Sequence, residues 1–161
     1  MESGRDPHVV LAHVEGLDEL QVLRAAFEPD GLPFGEQFTT VFTAAIAFYR
    51  AAIPLRALVL TDHELAAANL RIAGTTGLGP QLPVLEVAHW LEHQRRQGRI
   101  DPAVDVQAMA VTVCGTADYV ATLHLVVDPE TARATYGDVD RLVAHLLPLL
   151  VGSAAPVAVD D

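Results

Sequence analysis

A chain of 161 residues that is 51% hydrophobic, with a mean hydropathy of +0.29, can bury one substantial core and is too apolar for extended disorder. Its ten basic residues are all Arg against 21 Asp and Glu, and a net charge of -11 argues against gripping nucleic acid or an anionic membrane. The single Cys114 excludes an internal disulfide and a Cys-rich zinc site, and the polar opening MESGRDPH excludes a signal peptide at this start, so a cytoplasmic protein is expected.

Alanine and leucine dominate and β-branched runs are scarce, which points to an all-α fold. Residues 8–27 predict one or two short helices broken near Gly16, with Leu17, Leu20, Leu23 and Phe27 as the apolar stripe. The loop 28–33 follows. A long helix is predicted over 34–60 with Phe38, Phe42, Ala45 and Tyr49 on one face, and Pro54 is expected to kink or split it. Arg50, Pro54 and Arg56 interrupt this stretch as a membrane span. The spacing Thr61-Asp62-His63-Glu64 matches a capping box, so a new helix is placed from there to about Ala73. Residues 74–80 form a flexible connector, and 83–97 a helix that buries Val84, Val87, Ala88 and Leu91 and stops at Gly98.

The central helix is placed at 105–127, capped by Asp105. One helical set joins Met109, Val113, Ala117, Val120 and His124, with Val106, Ala110 and Ala121 beside it. Ala108, Thr112, Gly115, Tyr119, Thr122 and Val126 occupy roughly the opposite face. A helix apolar nearly all round must be buried on more than one side, so one face is assigned to the chain's own core and the other to a partner. Asp128-Pro129 ends it. A last helix is placed over 138–151 with the stripe Val139, Leu142, Val143, Leu146, Leu147 and Leu150, before a frayed tail.

Groups that could carry chemistry are few. Cys114, with no local His, reads as a buried thiol rather than a nucleophile. Gly74, Gly77 and Gly79 lack the flanking strand and Lys-Ser/Thr of a phosphate loop. Glu86, His89 and His93 share a helix face and could hold a metal given a further ligand, but a solvated polar face is the simpler reading. Asp118 and His124 are polar groups in apolar surroundings, facing solvent, a partner, or a ligand they orient. No catalytic constellation is visible, and no enzyme, metal or cofactor is expected.

The runs FYRAAIPLRALVLTDHELAA, GLGPQLPVLEVAHWLEHQRRQGRIDPAVDVQAMAVTVCGTADY and DVDRLVAHLLPLL resemble, in order and spacing, the C-terminal region of TetR/AcrR-type transcriptional regulators. The resemblance spans about 38–151, and its most telling piece is a helix ending in QGRI, the turn DPAVD and a long Ala-rich helix. It implies an orthogonal and antiparallel helical bundle that binds an effector and dimerises through its last two long helices. Residues 1–37 are too few and too acidic for that family's helix-turn-helix head, so no DNA binding by this chain alone is expected. The implied organisation is a short helical segment over 1–33, the ligand-binding and dimerisation domain over 34–151, and a tail over 152–161.

Phe38, Phe42, Tyr49, Trp90, Met109 and Val113 would wall an apolar pocket for a small hydrophobic or aromatic effector, with Asp118 as a polar anchor. The homodimer contact would use Ala108, Thr112, Gly115, Tyr119 and Thr122 with Leu142, Leu146 and Leu150. Two other classes stay open: a ligand-free helical interaction module, in which the aromatics are plain core, and a small helical metalloprotein using His89 and His93.

Overall fold

The computed structural model describes residues 17–28, 31–76, 79 and 81–152. Seven helices are present among them and no strand: α1 Asp18–Ala26, α2 Phe34–Thr61, α3 His63–Thr76, α4 Leu82–Arg96, α5 Val106–Val126, α6 Pro129–Tyr136 and α7 Val139–Val151. The fold is thus an all-α bundle. The predicted helical stretch over 8–16, the connector glycine Gly77 and the tail over 153–161 lie outside the described residues.

α2 and α5 form the axis of the bundle. They pack most extensively on each other; α4 closes on α5, and α1, α3 and α7 lie against α2. Phe38, Val41, Phe42, Ala45 and Phe48 of α2 meet Val106, Ala110, Val113, Cys114 and Ala117 of α5 in one continuous core. Leu20 and Leu23 of α1 and Val87, Trp90 and Leu91 of α4 extend it. By length and composition α2 and α5 could each cross a membrane. Here the small Ala, Val and Cys side chains of α5 receive the phenylalanines of α2.

Aspartate marks four of the seven helix starts, those of α3, α5, α6 and α7. Asp105 accepts from the N–H groups of Gln107 and Ala108, both at 3.0 Å, and Asp138 from that of Arg141 at 2.8 Å. These bonds satisfy donors that a helix start otherwise leaves open. The cap of α3 lies one residue later than the capping-box spacing predicts. Asp62 accepts from Glu64 and Leu65, while the Thr61 hydroxyl donates backwards to the Ala57 carbonyl at 2.9 Å and remains in α2. A carboxylate at the cap is the better acceptor of the two.

Pro54 does not split α2, whose helical backbone runs through it. The hydrogen bond it forfeits is that of the Arg50 carbonyl, and both residues lie on the exposed side, where an unpaired carbonyl costs least. α6 departs from the expectation that Asp128-Pro129 only ends a helix. Asp128 also starts one: its carboxylate accepts from Glu130 and Thr131 N–H groups at 3.0 Å each, and Pro129 at the first position needs no donor.

Candidate functional site

The inner and outer faces of α5 separate cleanly. Val106, Ala110, Val113, Cys114, Ala117, Val120 and Ala121 are buried, while Ala108, Thr112 and Gly115 are exposed. Val111 and Tyr119, inside the helix, are exposed to 59% and 55%, and Val126 at its last position to 69%. Thr122 is half-buried. The outward surface is therefore an uncharged strip of small and apolar groups, with Gly115 near its middle.

A cluster of polar groups sits where α2 and α5 meet. Arg56 donates from Nη1 to both carboxylate oxygens of Asp118 at 2.7 Å, and from Nη2 to Thr122 Oγ1 at 3.5 Å. One helical turn deeper, the Tyr49 hydroxyl and the Cys114 thiol share a hydrogen bond. Burial pushes the Cys114 thiol up to about 11, with the Tyr49 bond opposing, so the sulfur is a neutral thiol at physiological pH. Burial likewise raises the Tyr49 phenol above its ordinary range, helped by the Cys114 and Asp118 charges. Positions 49 and 56 lie two turns apart on α2, and 114, 118 and 122 are at successive turns of α5. Helical spacing alone brings them to one seam.

Of the side chains expected to wall a pocket, Phe38, Phe42, Trp90 and Val113 are at most 3% exposed and belong to the core. Phe38 stacks on Phe42 and Trp90 with ring centroids 6.3 and 6.4 Å apart, and Trp90 stacks further on Phe27 and Phe34, both at 5.9 Å. The rings pack on one another, at separations where aromatic pairs attract. Met109 and Tyr49 are half-buried against the same core. Asp118 is paired with Arg56.

The leucines of α7 lie elsewhere than expected. Leu146 and Leu150 point into the chain's own core, at 8% and 0% exposure, and Leu142 is half-buried. α7 packs them on the α2 side of the bundle, so its outward apolar groups are Leu149 and Val151. This stripe is the one an amphipathic helix uses to join its own core, and the sequence holds no second stripe for a partner.

Glu86, His89 and His93 do not converge. Glu86 pairs with Arg24 at 2.6 Å, His89 is exposed, and His93 bonds to Gln97 at 2.8 Å. No group of three or more His, Cys, Asp or Glu gathers among the described residues. His124 is exposed and bonds Tyr136 of α6 at 2.6 Å, tying the end of α5 to the helix that follows. Sequence reasoning missed Arg56, Arg24 and Tyr136 as partners. Their pairings depend on how helices far apart in sequence are aligned. Tyr49 and Arg56 at a seven-residue interval, facing Asp118 in an apolar helix, were the available hint.

Comparison of the chain with protein-family models, with curated proteins and with solved structures finds no match.

Proposed function

We propose that this chain is a helical protein-interaction module that pairs with a second copy of itself through the outward face of α5. Gly115 carries the reading. A Cβ built on it would meet nothing within 4 Å, so no neighbour in its own chain requires glycine there. Glycine inside a helix costs about 1 kcal/mol relative to alanine. A second helix crossing closely at that point gives the missing reason, because only glycine lets two backbones approach so nearly. The flanking Ala108, Thr112 and Thr122 are small enough to extend the contact, and exposed Val111, Tyr119 and Val126 supply apolar area. The aromatic stack between α2 and α4 supports a core that works without an effector.

Light scattering and sedimentation of the purified chain test this. A dimer that Tyr119→Glu converts to a folded monomer is expected. A wild-type monomer, or a Tyr119→Glu dimer, overturns it.

The seam of Tyr49, Arg56, Cys114 and Asp118 favours a second reading, the effector-sensing and dimerising domain of a TetR-like regulator acting in the cytoplasm. There the polar seam would orient a hydrophobic or aromatic effector lodged between α2, α4 and α5. A bound ligand stabilises the fold by mass action, about 2.7 kcal/mol at a hundredfold excess over the dissociation constant. Thermal-shift hits that Tyr49→Phe or Met109→Ala weakens support this reading, and hits indifferent to both count against it.

A further inference from the structure

Among the described residues two polar side chains are buried in the core, Gln37 of α2 at 2% exposure and Gln94 of α4 at 1%. Both converge on one guanidinium. Arg99 Nη1 donates to Gln94 Oε1 at 3.3 Å and to Gln37 Oε1 at 3.4 Å. Gln37 is itself anchored, donating from Nε2 to the Glu28 carbonyl at 3.2 Å and to that of Phe27 at 3.5 Å. The backbone of Arg99 is fixed too. Gly98 ends α4 at φ +72, and the Arg99 N–H turns back to the Gln94 carbonyl at 3.0 Å. Yet the partners of Arg99 are neutral amides, and none of the ion pairs among the described residues includes it. A half-buried cation held in place without a counter-charge is unusual in a chain of net charge -11.

Arg99 lines an open depression of about 430 Å³ between the end of α4, the turn after it and the end of α7. Arg95, Arg96, Asp101, Ile100, Pro102 and Val151 complete the wall. Arg95 and Arg96 share Glu92, at 2.6 and 3.4 Å. Three guanidiniums line the depression with one carboxylate, Asp101; Glu92, outside the wall, offsets a second, which leaves one positive charge. The turn is tied to α7 by the Asp101 N–H, which donates to the Leu150 carbonyl at 2.9 Å, so the wall keeps its shape.

We propose that this depression binds a small organic monocarboxylate, with Arg99 taking the carboxylate and Pro102 and Val151 receiving the apolar body. A guanidinium presents paired N–H donors that match a carboxylate. The single surplus charge suits a monoanion, and Asp101 opposes the second charge of a phosphate. The depression falls within the usual range of small-ligand sites, roughly 300–1,000 Å³. No residue of α5 lines the site, so its success or failure is separate from that of self-pairing.

The test titrates the full chain with benzoate, benzamide and inorganic phosphate, followed by amide NMR shifts. Benzoate is expected to move Arg99, Ile100 and Val151 signals saturably, while the neutral amide and phosphate leave them in place. Arg99→Gln should weaken benzoate by about tenfold or more, the equivalent of 1.4 kcal/mol. Asp101→Asn keeps the oxygen that accepts from the Ala103 N–H and removes the opposing charge, so it should tighten binding; it serves also if Arg99→Gln fails to fold. Absence of benzoate binding, equal binding of benzamide or phosphate, indifference to Arg99→Gln, or weaker binding by Asp101→Asn overturns the proposal.

Discussion

Cys114 and Tyr49 illustrate how burial governs titration where α2 and α5 meet. Both are acids whose neutral forms burial favours, so both titrate higher folded than unfolded. Stability from such groups is fully present below the unfolded pKa and is lost as pH rises through the folded one. For Cys114 the window opens near its ordinary value of 9.0 and closes at about 11. Chemical denaturation should therefore show level stability from neutral pH to about 9 and a decline of order 2 kcal/mol above it. Cys114→Ala should lower stability at neutral pH and flatten part of that decline; an unchanged alkaline slope would show that the thiol contributes nothing to it. Arg56 and Asp118 have side chains 40% and 32% exposed, so solvent screening limits their pairing. A double-mutant cycle through Arg56→Ala and Asp118→Ala should give a coupling of no more than about 1 kcal/mol. Burial of Cys114 was legible from its apolar neighbours, whereas its bond to Tyr49 was not, because it depends on the alignment of α2 with α5.

At the scale of the helices, local chemistry was the most readable part of the chain. Asp105 before an apolar run, and Gly98 after α4, act through bonds within a few residues, and helical periodicity places most of the inner face of α5, though His124, grouped with it, is exposed. Two departures arise where adjacent residues compete for a role or one residue serves two helices: Asp62 over Thr61 as cap, and Asp128 following α5 while opening α6. The α7 stripe is buried within the chain, since periodicity identifies a buried face without saying what buries it. Asp105→Ala should destabilise the fold by about 1 kcal/mol, read by thermal or urea unfolding. A loss under a few tenths would mean that packing of Val106 fixes the helix start by itself. Gly115→Ala separates helix propensity from association. It should stabilise the monomer, at a dilution where pairing is absent, by up to about 1 kcal/mol. At the same time it should weaken the dimer in sedimentation, since the added methyl stands where the helices cross. A variant that strengthens both would place the crossing elsewhere on α5.

For the whole molecule, charge and apolar surface act in opposite directions, and salt distinguishes them. Each copy carries -11, so bringing two together is opposed by repulsion, while the proposed contact on α5 is uncharged. Salt shortens the range of that repulsion, to about 8 Å at physiological strength, and leaves apolar burial in force. Self-association is therefore expected to tighten as sodium chloride is raised, measured by sedimentation equilibrium. Binding to duplex DNA would have the reverse dependence, because its affinity comes largely from counterions that basic side chains displace. Of the clustered arginines, Arg95 and Arg96 already face Glu92, which leaves little free basic surface for a phosphate backbone. Fluorescence polarisation with random and promoter-like duplexes should show no binding by this chain at physiological salt. Association with DNA that grows as salt is lowered, together with pairing that weakens as salt is raised, would mean that charged contacts rather than the α5 face control what this protein meets.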